Sequence, residues 1–161
     1  MVTPASPGSR PARLVPAAPP AVSAVLAVLA VLAAVLALAP PSPLAAQEAP
    51  PPLAPEIFNG QKPVTEADLG LAVDLIRQGR EGNATAADME ALARRHKVDD
   101  PYRAAYVASR FGAGFLMLKR GATPAQIQEL YGTPLAVPSA AELEAIGALL
   151  PKIEAELGLK K

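Results

Sequence analysis

His96 is the one histidine in 161 residues, so any metal, haem or acid–base chemistry that runs through an imidazole has to use it. A zinc site needs three or four soft or nitrogen ligands. The chain offers no cysteine and no second histidine, and the nearest acids, Asp99 and Asp100, stand where they can cap the next helix. A haem held by His96 and Met89 or Met117 fares no better, because Met89 lies seven residues earlier on the same helical stripe and cannot face His96 across a ring. No catalytic residue, metal ligand or cofactor contact is therefore expected. His96 reads as a structural side chain in the last turn of a helix, where a cation complements the dipole.

Two other groupings invite a functional reading. Arg94, Arg95 and Lys97 flank His96 in the densest basic run of the chain and could contact an anion. The bland account is that cations belong at the end of a helix. Arg103 and Arg110 lie two turns apart on the narrow polar arc of the following helix, beside Tyr102 and Tyr106. Arginine and aromatic side chains are favoured interface anchors, so these four residues form the candidate interaction site. The arginines are expected to reach solvent or carboxylates such as Asp74, Asp99 or Glu129. No nucleophile elbow, phosphate loop, dinucleotide fingerprint or H-E-x-x-H motif occurs, and the sequon Asn83-Ala84-Thr85 is better explained by Thr85 as a cap.

The elements that must position these side chains are helices. Four stretches repeat one start signal: Thr65-Glu-Ala-Asp68, Thr85-Ala-Ala-Asp88, Thr123-Pro-Ala-Gln126 and Ser139-Ala-Ala-Glu142. Each sets a hydroxyl at the N-cap and an acid or amide three residues on, where the pair can satisfy two orphan N–H groups reciprocally. The intervals between them, 20, 38 and 16 residues, are unequal, so the signal is shared capping chemistry and not an internal repeat.

The predicted helices cover about 66–78, ending at Gly79; 86–96; 101–120; 124–131, ending at Gly132; and 140–157, continuous across Pro151 because Leu143, Ile146, Leu150 and Ile153 keep one stripe. The third is the centre. Ala104, Val107, Ala108, Phe111, Phe115 and Leu118 fall on one side of it and Tyr102, Ala105, Tyr106, Ala113, Leu116 and Met117 on the other, and a helix apolar on two arcs is enclosed by its neighbours. Its start is assigned to Asp99 and Asp100 with Pro101 in the first turn, its end to Gly121. Its small residues, Ala104 through Gly114, imply close passage of another helix. Residues 133–138, TPLAVP, read as an extended strap because a residue before proline avoids the α region. The expected fold is all-α, a small five-helix orthogonal bundle around the central helix.

Upstream, residues 1–46 carry Arg10 and Arg13, an apolar run from Ala21 to Ala39 and the small-residue site Leu44-Ala45-Ala46, the pattern of an export signal. An uncleaved N-terminal anchor is the alternative, since the run approaches the length of a bilayer span. Residues 47–64 hold five prolines and read as a Pro-rich linker, with Ile57 and Phe58 folding back onto the helical domain of 65–161. Beyond residue 46 the net charge is −2, too weak to imply nucleic acid, and without cysteine there are no disulfides.

Taken together, the sequence is that of an exported protein, periplasmic or extracellular, acting as a non-enzymatic protein-interaction or structural module with an unidentified protein partner. It meets a membrane only if its N-terminal segment stays uncleaved. A carrier of a small ligand or cofactor in a pocket between helices is the alternative, and an enzyme acting through His96 and a carboxylate has the least support.

Overall fold

The computed structural model describes residues 52–81, 85–100 and 102–158. The export segment 1–46, Pro101, and Asn83 and Ala84 of the sequon lie outside the described residues. Five α-helices follow one another: α1 Leu69–Glu81, α2 Ala86–Arg95, α3 Arg103–Arg120, α4 Pro124–Tyr131 and α5 Ala140–Glu156. Short 3₁₀ turns at Pro55–Ile57, Glu66–Asp68 and Pro134–Ala136 join them, and no strand occurs among the described residues. The fold is a small all-α bundle, and no helix among the described residues is long and apolar enough to cross a membrane.

The capping signals fold as their chemistry requires. Asp88, Gln126 and Glu142 each accept from the N–H of the hydroxyl residue three positions earlier, at 2.9, 2.8 and 3.0 Å, while the hydroxyls of Thr85, Thr123 and Ser139 accept in return. Thr65 donates its N–H to Asp68 at 2.8 Å, and the chain there makes one 3₁₀ turn before α1 begins. Gly121 and Gly132 end α3 and α4 with φ of 70° and 69°, the left-handed conformation that glycine adopts without steric cost.

Three boundaries differ from expectation. Gly79 does not stop α1, which runs to Glu81; Gly79 lies buried within it, one turn from Ile76. Helix α3 starts at Arg103, and Asp100 caps it from outside by accepting the N–H of Tyr102 at 2.8 Å. The 133–138 segment is extended only at Thr133 and Val137, the two residues that precede proline, and turns as a 3₁₀ helix between them.

Helix α3 is the axis of the bundle, buried at every residue from Ala104 to Gly114. Helix α5 lies beside it and runs the same way: Arg110 meets Glu142, Gly114 faces Ile146, Leu118 reaches Gly147, and Lys119 pairs with Glu154 at 2.9 Å. A methyl group on Gly114 would come within 2.8 Å of Ile146, which is the close helix passage implied by the small residues of α3. Helix α5 continues through Pro151, whose ring is exposed while Leu150 and Ile153 stay buried.

The described part of the Pro-rich stretch is not a linker. Leu53, Ile57 and Val64 are 5%, 0% and 2% exposed, fully inside the core, and the Leu53 N–H donates to the Tyr131 carbonyl at 3.1 Å. Proline frequency signals extended backbone, but an extended strap still buries any apolar side chain that faces a groove. The packed unit therefore reaches upstream of Thr65 to at least Pro52.

Candidate functional site

The polar arc of α3 does not face solvent. Arg110 is 8% and Tyr106 4% exposed, and Tyr102 is half-buried. The carboxylates that meet the arginines are Asp68 and Glu142, not Asp74, Asp99 or Glu129. Arg103 grips Asp68 with both branches of its guanidinium, Nε to Oδ1 at 3.3 Å and Nη2 to Oδ2 at 2.8 Å. Its Nη1 also donates to the Lys62 carbonyl and its Nη2 to that of Pro63 at 3.4 Å. Arg110 places Nε 3.2 Å from Glu142 Oε1 and its guanidinium carbon 5.3 Å from the Phe58 ring centre and 4.9 Å from that of Tyr106. Phe58 and Tyr106 meet edge to face at 6.2 Å.

Both partner acids are capping residues at the same time. Glu142 Oε2 accepts from Ser139 N–H and hydroxyl at 3.0 Å, leaving Oε1 for the Tyr106 hydroxyl at 2.5 Å and for Arg110. Asp68 also serves both roles, its Oδ2 accepting from the Thr65 N–H and from Arg103 Nη2 and its Oδ1 from Arg103 Nε. The two arginines of the axial helix thus hold the starts of α1 and α5, and the strap is folded over them. Burial raises the Glu142 pKa, but the hydrogen bonds from Tyr106 and Ser139 and the charge of Arg110 outweigh it, and the group is held below its ordinary value. Tyr106 moves upward, chiefly through burial and then through Glu142. Arg110 Nε and Nη1 lack a well-directed hydrogen bond, so the guanidinium is held by charge and by the two ring faces.

His96 belongs to a second cluster. Its Nε2 lies 2.9 Å from Asp74 Oδ2, which also takes Arg95 Nη1 at 3.1 Å, and Arg77 Nη1 is 3.5 Å from Oδ1. The other edge of the imidazole packs on Gly70, where a methyl group would stand 3.1 Å from Cε1. The ring is therefore wedged between α1 and the end of α2, as a side chain that docks one helix on the other. Burial works against the Asp74 charge, yet the bonds from His96 and Arg95 prevail and lower its pKa. The basic run does not converge: Arg94 pairs with Glu90 at 3.6 Å, Arg95 with Asp74, and exposed Lys97 takes a left-handed φ of 53° in the turn that closes α2. Beside this cluster lies an open cleft of about 290 Å³ lined by Asp74, Arg77, Gln78, Glu81, Asp88 and Arg95 among others. No group of three or more candidate metal ligands occurs among the described residues.

Comparison of the chain with protein-family models, with curated protein sequences and with solved structures finds no match. The reading of function therefore rests on the sequence and the geometry. The sequence singles out Arg103 and Arg110 but names other carboxylates than those they meet. A signal was present: Arg103 and Arg110 are two turns apart on one face, and each needs a carboxylate, while Asp68 and Glu142 already sit at helix starts. Nothing in the sequence indicates that Phe58 lands on Arg110, because that contact spans the strap and half of the domain.

Proposed function

We propose that this chain is an exported, non-enzymatic helical module that works by structure and by protein contact, in the periplasm or outside the cell. The observation that supports it is the use of the charged side chains on the axial helix. Arg103 and Arg110 are consumed in fixing helix starts and the strap, an arrangement that stiffens a scaffold and leaves its outer faces for recognition. Among the described residues the large apolar side chains left exposed are Leu118 at 46% and Leu135 at 44%. The export signal supplies the location, with the mature chain beginning at Gln47.

The carrier reading draws on the cleft between α1 and α2, whose lining of acids and arginines suits a small zwitterionic molecule. One purification separates the two. The protein is isolated from the exported fraction of its host, and the mass of the chain and of whatever accompanies it is measured. A chain starting at Gln47 with a stoichiometric polypeptide that Leu118→Glu releases is the expected result. A small molecule lost from Asp74→Asn would establish the carrier instead, and an intact Met1 in the membrane fraction would establish the anchored form.

A further inference from the structure

We infer that Asn59 is a covalent modification site, at which the side-chain amide is lost to attack by the Gly60 nitrogen and the strap gains a carboxylate while staying seated on the bundle. The chemistry is available because asparagine is followed directly by glycine. The Gly60 nitrogen gives up its proton and bonds to the side-chain carbonyl carbon of Asn59, closing a five-membered imide. The bond from that carbon to Nδ2 breaks, and ammonia leaves. Water then opens the ring on one of two sides. Opening at the side-chain carbonyl restores the main chain with aspartate at position 59. Opening at the main-chain carbonyl routes the backbone through the side-chain carbons and gives isoaspartate. One water enters and one ammonia leaves, and nothing is oxidised or reduced.

The fold leaves this pair open to reaction. Asn59 and Gly60 are both exposed, in the turn that follows the 3₁₀ helix Pro55–Ile57, so water reaches each group that must react. The Gly60 N–H makes no backbone hydrogen bond among the described residues. Gly60 has no Cβ to hinder the approach, and the space that a Cβ would take has nothing within 4 Å. Turning Asn59 toward its neighbour therefore disturbs no core contact. The ends of the turn are fastened. Upstream, Ile57 is fully buried and Phe58 lies against Tyr106 and Arg110. Downstream, Gln61 donates to Asp100, and the Lys62 carbonyl accepts from Arg103. Isoaspartate adds one atom to the main chain between these anchors, and the open space around Gly60 lets the longer turn bulge into solvent. The strap keeps its place, and the lasting change is a negative charge two residues from Gln61, whose Oε1 lies 3.5 Å from Arg103 Nη1.

The full-length chain, its Asn59→Gln variant and a free peptide of residues 57–63 are held for days in mildly alkaline buffer at physiological temperature. Fragments of each are then separated and sequenced by mass spectrometry, which resolves asparagine, aspartate and isoaspartate at position 59. The folded chain is expected to convert within about tenfold of the rate of the free peptide, a barrier difference of about 1.4 kcal/mol. Asn59→Gln should show no conversion there, because glutamine has to close a larger ring. The converted chain, separated from the unconverted one by its extra charge, should still melt in a single transition by circular dichroism. A folded chain that stays intact at position 59 while the peptide converts would overturn the proposal, since the turn would then shield the pair. Loss of the cooperative transition on conversion would overturn it as well, by showing that the turn holds the strap in place.

Discussion

Two buried tyrosines in this bundle should respond oppositely to the loss of a hydroxyl. The Tyr106 hydroxyl donates to Glu142 at 2.5 Å, a hydrogen bond to a charged acceptor. Tyr106→Phe keeps the ring between Phe58 and the arginines and removes only that bond, for an expected loss of about 2 kcal/mol in denaturant titration. The Tyr131 hydroxyl is buried with no partner among the described residues, and burial drives its pKa well above the ordinary phenol range. Tyr131→Phe should therefore leave stability unchanged or raise it by up to about 1 kcal/mol. A large loss at Tyr131 would show that the hydroxyl has a partner after all. Glu142 carries the acid sensitivity of the same site. Its folded pKa is lowered, so its contribution is complete above the unfolded value near 4.5 and is lost as pH falls below that value and through the lower folded one. Glu142→Gln should cost about 3 kcal/mol at pH 7, because Arg110 stays buried without its countercharge, and should flatten the stability profile between pH 5 and 3 by about the Glu142 contribution. Equal slopes for both proteins in chemical denaturation across that range would refute the assignment.

At the scale of the elements, the α3–α5 contact is decided by two glycines with different surroundings. A methyl on Gly114 would lie 2.8 and 2.9 Å from the branches of Ile146, which is fully buried and, being β-branched in a helix, has little rotamer freedom to move away. Overpacking outweighs the gain of about 1 kcal/mol in helix propensity, so Gly114→Ala should destabilise by about 1–2 kcal/mol, and Ile146→Val should recover part of it. A methyl on Gly147 would meet Leu118 at an ordinary 3.6 Å, and Gly147→Ala should stabilise by about 0.5–1 kcal/mol. Thermal melts of the three variants separate the cases by sign. The same pair shows why an apolar stripe locates a helix but not its neighbours' spacing: both glycines look alike on a wheel, and only the partner's shape distinguishes a required glycine from an improvable one.

For the molecule as a whole, the strap decides where the folding unit begins. Removing Pro52–Val64 strips Leu53, Ile57 and Val64 from the core. At about 1.5–3 kcal/mol for each buried aliphatic side chain, the loss matches the entire stability of a domain this small. A chain starting at Thr65 should melt without cooperativity, while one starting at Gln47 should unfold in a single transition by circular dichroism. Cooperative melting of the shorter chain would return the strap to the status of an accessory.

The sequence by itself determined the five helices, the capping boxes that start α2, α4 and α5 and the centrality of α3, because these depend on side chains three and four residues apart. A hydroxyl and an acid in one turn find each other in any tertiary setting, and a helix apolar on two arcs is enclosed by its neighbours. It also located the residues with the most charge to place. Only the tertiary structure decided what they do. Whether Arg110 meets Glu142 or Glu129, whether proline-rich residues hang free or fill a groove, and whether Gly79 ends a helix or packs inside one are set by contacts across tens of residues. Such contacts form where the bundle closes and the cost of burying a guanidinium leaves one carboxylate within reach.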